Sequence, residues 1–574
     1  MRTAKCWYRV LVLAVVVGVS FAGGKTAVGA ADAAAILKNP VERSKIEKAL
    51  PAKAIVQPAK ARKLLIFDLN VNYGGHPSMY YAEAAFELMG AKTGAFTTVV
   101  SRDPAVFKKE SLKQFDAVFF NNNVGNCFSD AVLRQNLMEF VTGGGGVMGV
   151  HGTTVAFMQW PGAVEDWPEF GVMLGARGAN HKKSDELVVA RFDDAGHPLV
   201  AALGASFEYR DEFFRYQDVY SRNRVRVLLS IDTAKTDMKQ QPSYGSLVRA
   251  DDDYALAWVR NYGRGRVFHC TIAHNPSVFS DPVMLQFYLG AIQFVLGDLP
   301  AGTIPSAKLT AAVRAQEKLG WRLGVEAYTF HKFTFWEAIE KTAGLGLPFM
   351  GGLSFQKVSQ EIDKDFTPAL SDDELRQVRM KLDAAGVRLL TYYIDKIPGD
   401  EAGCRKVFEF GRKMGIETFM SEPELGALDT IEKMCDEYDI KLALHNHDQK
   451  ASPNTWSPEA ILKVCQGRGK RVGACADIGY WMRGGIDPIE GVRKLKDRLI
   501  TVQMHDLDVI NKDGHDVPWG TGAGRTEEFL REIQRLGVKP TMFGLEYSYD
   551  FENSLGQVQK CVEFFNKVSL KLAE

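Results

Sequence analysis

Four short apolar runs late in the chain each end in a side chain able to bind a metal. Lys441 to Asp448, KLALHNHD, reads as a strand that buries Leu442 and Leu444 and closes on His445 and His447, two residues apart and therefore on one face of an extended chain. RVGACADIGYW delivers Asp477, LITVQMHDLD delivers His505, and TMFGLEYSYD delivers Glu546. Imidazole and carboxylate donors in this mix suit a divalent Mn, Co, Mg or Zn ion, and no Cys stands among them. A lone His pair is more often a hydrogen-bonded core feature. With three further donors at successive strand ends, metal binding is the better explanation.

Donors so far apart in sequence need a scaffold that brings strand ends together. Helical patterns at Trp336 to Ala343, Ser371 to Ala385, Glu401 to Met414 and Leu428 to Tyr438 alternate with apolar runs at Phe349 to Ser354, Val387 to Ile394 and Glu417 to Ser421. With WRLGVEAYTF at the start and the four donor-bearing runs at the end, this gives eight strands in about 250 residues, the pattern of a (β/α)8 TIM barrel over 321–574. Its strands converge on one face.

The first half alternates in the same way. KLLIFDLN (Lys63 to Asn70) opens into a Gly/His turn, and FTTVVS and FDAVFFNN follow, separated by helical patterns. That predicts a flavodoxin-like, doubly wound parallel sheet with its site beyond the C-terminal strand ends. GGGGVMGVHGTT (Gly143 to Thr154) has the layout of a nucleophile elbow, a sharp turn exposing one side chain above the sheet. Here that side chain is His151. Neither Ser nor Cys occupies the position, so acyl-enzyme chemistry is not expected there.

Several of these motifs carry a resemblance. GGHPS (Gly74 to Ser78), GGGGVMGVHGTT, RDEFF (Arg210 to Phe214) and YGRGRVFHCTIAHN (Tyr262 to Asn275) make residues 62–298 similar to the ThuA-like, trehalose-utilisation family, whose fold is similar to class I glutamine amidotransferases. The resemblance implies a carbohydrate-associated role. It also implies one pocket with His151 and Asp211 as catalytic candidates and His76, His181, Glu212 and His274 as substrate-binding ones. Each could also be a structural hydrogen-bonding group.

LHNHD, GACADIGYW, MHDLD, VPWGTGAG and GLEYS make residues 321–574 similar to the xylose-isomerase-like sugar isomerase and epimerase family. Carried over, His445, Asp477, His505 and Glu546 match its four metal-binding strand ends. Where that family usually has a His, this chain has Tyr480, and where it reads H-x-K-D this chain has Leu507 in place of the cation. Epimerases of this fold use two opposed bases. With His445 in place of one carboxylate, Glu546 is the obvious base, with Glu422 or Glu326 as a second, while His447, Tyr480 and Glu326 contact substrate. This favours isomerisation or β-elimination of a sugar or keto-sugar. The alternative is a carbohydrate-binding or scaffold protein with a degenerate barrel site. Phosphoester cleavage, as in an endonuclease branch, would need further His ligands, for which only His331 stands nearby.

A chain of 574 residues with 46% apolar and 24% charged residues has the composition of a globular protein with two large domains. Arg2, Lys5 and Arg9 before the apolar run Val10 to Ala22 read as a secretory signal over 1–30. The run is shorter than the roughly 20 residues a membrane span needs. Export to the periplasm or the extracellular space is expected, with no stable membrane span after cleavage. Residues 31–61 read as a tether and 299–320 as a linker. Without the signal, 66 basic residues face 70 acidic ones, so no nucleic-acid partner is implied. A small carbohydrate is the expected partner, and a homo-oligomer stays open. The seven remaining Cys form no CxxC pair and read as buried small apolar residues.

Overall fold

The computed structural model describes residues 33–159, 165–217, 219–239 and 248–574. The expected signal segment lies outside the described residues. Strands are numbered in chain order. The first half contains β1 (Lys63–Phe67), β2 (Thr97–Ser101), β3 (Ala117–Phe120), β4 (Gly146–Val150), β5 (Arg177–His181), β6 (Glu186–Phe192), β7 (Phe207–Asp211), β8 (Phe214–Gln217), β9 (Arg226–Ile231), β10 (Ala255–Tyr262) and β11 (Gly265–Cys270).

Five of these run parallel in the order β2-β1-β3-β4-β11. The strands β1, β3 and β4 are continuous apolar runs because helices cover both faces of the sheet. The expected all-parallel sheet is extended by an antiparallel half, β10-β9-β6-β7, giving nine strands. Its cause is local. β10 and β11 are joined through Gly263, whose φ of +58° permits the tight turn, and so short a connection can only return the chain antiparallel. β5 and β8 form a separate ribbon. Ahead of the sheet, helices Ala33–Lys38 and Pro40–Ala49 bury Ile36 and Ile46 in the same core.

The second half is a closed parallel barrel of β12 (Leu323–Val325), β13 (Phe349–Leu353), β14 (Arg388–Tyr393), β15 (Thr418–Ser421), β16 (Lys441–Leu444), β17 (Val472–Asp477), β18 (Leu499–Met504) and β19 (Phe543–Leu545). Helices Glu401–Met414 and Leu428–Tyr438 occupy the spans that their periodicity predicts. Ser371 and Thr334 start two others through reciprocal bonds with Glu374 and Glu337.

The two halves dock through the N-terminal edges of their sheets. Arg264, in the β10–β11 turn, donates to the carbonyls of Gly143 and Tyr438 at 2.6 and 2.9 Å. Arg388, the first residue of β14, donates to Gly263 O at 3.1 Å. Asp383 pairs with both Arg260 and Arg224. The seven described Cys are all buried and unpaired. No helix of the described residues is long and apolar enough to cross a membrane.

Candidate functional site

The barrel's C-terminal face collects all four donor-bearing strand ends. Asp477 ends β17 and caps the following helix, Oδ1 accepting the Tyr480 amide at 3.0 Å. Its Oδ2 is buried with no hydrogen-bond partner. His505 follows β18, with Nδ1 2.7 Å from Asp516 Oδ1. That carboxylate fixes a proton on Nδ1, so Nε2, buried without a hydrogen-bond partner and 3.6 Å from Asp477 Oδ1, is the nitrogen a metal would take in place of a proton. Glu546 completes a cluster whose donor atoms, one from each residue, lie within 4.8 Å of one another.

His445 sits between this cluster and a second one. Its Nε2 is 3.7 Å from Asp477 Oδ2 and 2.6 Å from Gln503 Oε1, and Nδ1 is 3.3 Å from Glu422 Oε1. Glu422 also meets His447 Nδ1 at 2.5 Å and accepts from Ser452, so its oxygens are committed to orienting neighbours. Gln503 donates to Glu546 Oε2 at 2.8 Å and thereby bridges His445 and Glu546. Sequence reasoning passed over Gln503 and Asp516. Gln503 could have been found, since it lies two residues before His505 and shares its face of β18. Asp516 lies in a loop and gives no such signal.

Glu326, just after β12, occupies a cradle between two glycines. A Cβ on Gly351 or Gly544 would lie 1.9 or 2.3 Å from its carboxylate oxygens. Thr391 donates to it at 3.2 Å. Burial, helped by Glu546, pushes the Glu326 carboxyl up to about 8. Burial also raises Glu546 to about 7, with Asp477 adding and His505 and His445 opposing. Burial would raise Asp477 as well, but His505 and His445 outweigh it and bring it to about 2. Glu326 and Glu546 face a cavity of about 190 Å³ whose walls include Tyr328, Tyr393, His447 and Tyr480. Two orphaned donor atoms beside a carboxylate fit a divalent ion bound by Asp477, His505 and Glu546, with His445 adjacent.

Three other residues have different places. Leu507 is fully buried. Asp506 caps the VPWGTGAG loop by accepting the amides of Gly520, Gly522 and Gly524. His331 stacks on Tyr328 and joins none of the donor clusters among the described residues.

The first domain places its candidates at the C-terminal edge of the parallel strands. His151 follows β4 at φ +39°, a strained conformation that gives the expected elbow. Its ring is enclosed and Nδ1 lies 3.1 Å from Thr271 O. Glu212 Oε1 lies 3.4 Å from His151 Nε2, 3.1 Å from His181 Nδ1 and 3.7 Å from His274 Nε2. Burial opposes its charge, but His151 and His181 hold the Glu212 carboxyl well below its usual range. His76, His181, Glu212 and His274 line one cleft of about 600 Å³. Asp211 departs from the expected catalytic role. Its two oxygens accept the amides of His274 and Asn275 at 3.1 and 2.9 Å, so it shapes the turn that carries His274.

Residues 63–295 match the family described as trehalose utilisation (ThuA), and residues 425–568 match the xylose isomerase-like TIM barrel family. The chain is thus a ThuA domain fused to a xylose isomerase-like TIM barrel. No curated protein matches it. Among solved structures, an uncharacterised protein from Parabacteroides distasonis is 31% identical, aligning over 43% of this chain and 99% of its own with a TM-score of 0.37. A ThuA-like protein from Bacteroides uniformis is 20% identical over 42% of this chain and 94% of its own, with a TM-score of 0.35. A xylose isomerase-like TIM barrel protein from Mycobacterium smegmatis, in complex with magnesium, is 13% identical over 46% of this chain and all of its own, with a TM-score of 0.37.

Proposed function

We propose that the chain is an exported carbohydrate enzyme whose barrel moves a proton beside the carbonyl of a sugar or keto-sugar. The outcome is isomerisation or elimination, and the ThuA domain acts on or binds a related sugar. The observation that carries this reading is the pair of buried, unpartnered donor atoms, Asp477 Oδ2 and His505 Nε2, clustered with Glu546. A divalent ion held there by Asp477, His505 and Glu546, with His445 adjacent and both its nitrogens engaged by Gln503 and Glu422, would supply Lewis-acid stabilisation of charge on a carbonyl oxygen.

The chain's own residues supply the proton chemistry. Glu546, raised to about 7, can take and return a proton near neutrality. Glu326, raised to about 8, is protonated there and can donate one. Glu326 is therefore the stronger second acid–base group. Glu422, held well below its usual range by His445 and His447 against the effect of burial, positions those two rings. Tyr393 and Tyr480 give the cavity aromatic walls on which a sugar ring can stack.

A Glu546→Gln variant tests this. Retained sugar binding with turnover reduced at least about 100-fold supports the acid–base role. Turnover equal to the parent's refutes it. Sugar binding without turnover in either form would favour the second reading, a binding protein, which Tyr480 in the place of a family His motivates.

A further inference from the structure

Three imidazoles in the ThuA domain meet at nearly equal spacing. Ring centroids of His76, His151 and His274 lie 5.0, 5.3 and 5.2 Å apart, and their planes cross at 90°, 80° and 71°. One ring nitrogen from each falls within 4.8 Å of the others. In each ring the second nitrogen already has a partner. His151 Nδ1 has Thr271 O at 3.1 Å, His274 Nδ1 has Asn275 Oδ1 at 3.2 Å, and His76 Nε2 has the Tyr73 hydroxyl at 3.3 Å. Protons on those nitrogens leave His76 Nδ1, His151 Nε2 and His274 Nε2 as lone pairs. Both His76 Nδ1 and His151 Nε2 are buried without any hydrogen-bond donor, in side chains 6% and 0% exposed.

We propose that the ThuA domain holds its own transition-metal site, formed by His76, His151 and His274 with Glu212 as fourth ligand. Glu212 stands outside the three-His group but reaches two of its members. Tetrahedral bonds of 2.0–2.1 Å set donor atoms about 3.4 Å apart. Glu212 Oε1 stands 3.4 Å from His151 Nε2 and 3.7 Å from His274 Nε2.

The chain builds the site at some cost. His151 is held at positive φ, and Gly152 beside it has no Cβ, which would otherwise lie 2.9 Å from His76 Cε1. Three imidazoles and one carboxylate select zinc, cobalt, nickel or iron over magnesium, whereas the carboxylate-rich barrel cluster accepts harder ions. The ThuA site borders the 600 Å³ cleft, where Asn180, Gln217 and Tyr73 offer polar contacts to a hydroxylated ligand. A ligand oxygen reaching the ion from that side would make a fifth bond.

The test is cobalt titration of the metal-stripped full-length protein, read by visible absorption and by bound equivalents. The parent is compared with a barrel variant (Asp477→Asn with His505→Gln) and a cleft variant (His151→Gln with His274→Gln). The barrel variant keeps one equivalent, and excess magnesium does not displace it. The cleft variant loses that equivalent and its absorption bands. Should the cleft variant fail to fold, Gly152→Ala, which removes no ligand, weakens cobalt binding in the barrel variant at least 10-fold. A barrel variant that binds no cobalt overturns the proposal, as does a folded cleft variant that binds as much as the parent. Failure of the barrel site alone would show separately, as a barrel variant no different from the parent.

Discussion

Gly479 lies one turn from the barrel's donor cluster and gives a test that touches no ligand. A Cβ placed there would sit 2.7 Å from His505 Cγ, 2.9 Å from Cδ2 and 3.0 Å from Nδ1. Carbon atoms in contact prefer about 3.5–4.0 Å, so Gly479→Ala asks the imidazole or the helix start to move by about 1 Å. The ring cannot yield freely, being fully buried and tied at Nδ1 to Asp516 by the 2.7 Å bond. The helix Ile478–Arg483 itself gains up to about 1 kcal/mol from replacing Gly by Ala. Overpacking costs about 1–3 kcal/mol, so the net stability change is a loss of at most about 3 kcal/mol. Metal affinity is expected to fall about 10–100-fold, the usual effect of disturbing a ligand's orientation. Manganese affinity is measured by competition with a chromophoric chelator, and thermal melting of the same samples reports the fold. A folded Gly479→Ala protein whose manganese affinity stays within about twofold of the parent's would refute the assignment of His505 as a ligand.

Other consequences are equally direct. Burial opposes protonation of His505 and His445, but Asp516 and Asp477 raise the first to about 9, and Asp477 and Glu422 raise the second to about 10. The stability these protonated rings give the metal-free protein is complete below their ordinary value near 6.5 and is lost as pH climbs through 9 to 10. Metal competes with the same protons, so manganese affinity should rise up to about tenfold per pH unit per ring between pH 7 and 9, and a flat titration would contradict it. Gly351→Ala drives a methyl group against Glu326 and Thr391, overpacking that should cost about 1–3 kcal/mol in stability, and should lower turnover of the folded protein about 100-fold, an outcome that equal kcat and KM would refute. Asp383→Ala leaves Arg260, only 3% exposed, without its carboxylate and should cost about 3–5 kcal/mol in urea unfolding, with the two domains melting apart.

The barrel was legible because parallel strands buried on both faces read as apolar runs, and because each candidate metal-binding side chain stands where such a run stops. His445, Asp477, His505 and Glu546 announce themselves in this way. Gln503 hides inside an apolar strand, and Asp516 reaches His505 from a loop 11 residues on, a distance with no periodicity. The glycine cradle of Glu326 is a property of three strands at once, so no local pattern carries it. In the first domain His151 was legible from its flanking glycines. Asp211 was misread because RDEFF sets two carboxylates side by side, and only the fold shows that one holds a turn while the other meets three histidines.

How the halves dock decides how their chemistry can be coupled. The ThuA candidates follow the C-terminal ends of β1, β4 and β11, and the barrel donors follow the C-terminal ends of its strands, the sites such folds use. The interface is built from the opposite edges. Arg264 and Gly263 lie just before β11, Arg388 begins β14, and Gly415 lies in the loop before β15, close enough that a Cβ on it would meet Gly263 Cα at 2.5 Å. The two candidate sites therefore open away from each other. A product leaving one cannot enter the other through the protein's interior; it crosses bulk solvent. Fusion keeps the two candidate sites in one place and in equal number, while each C-terminal face stays free to vary its loops without disturbing the joint. Each proposed metal site should then be removable without altering the other.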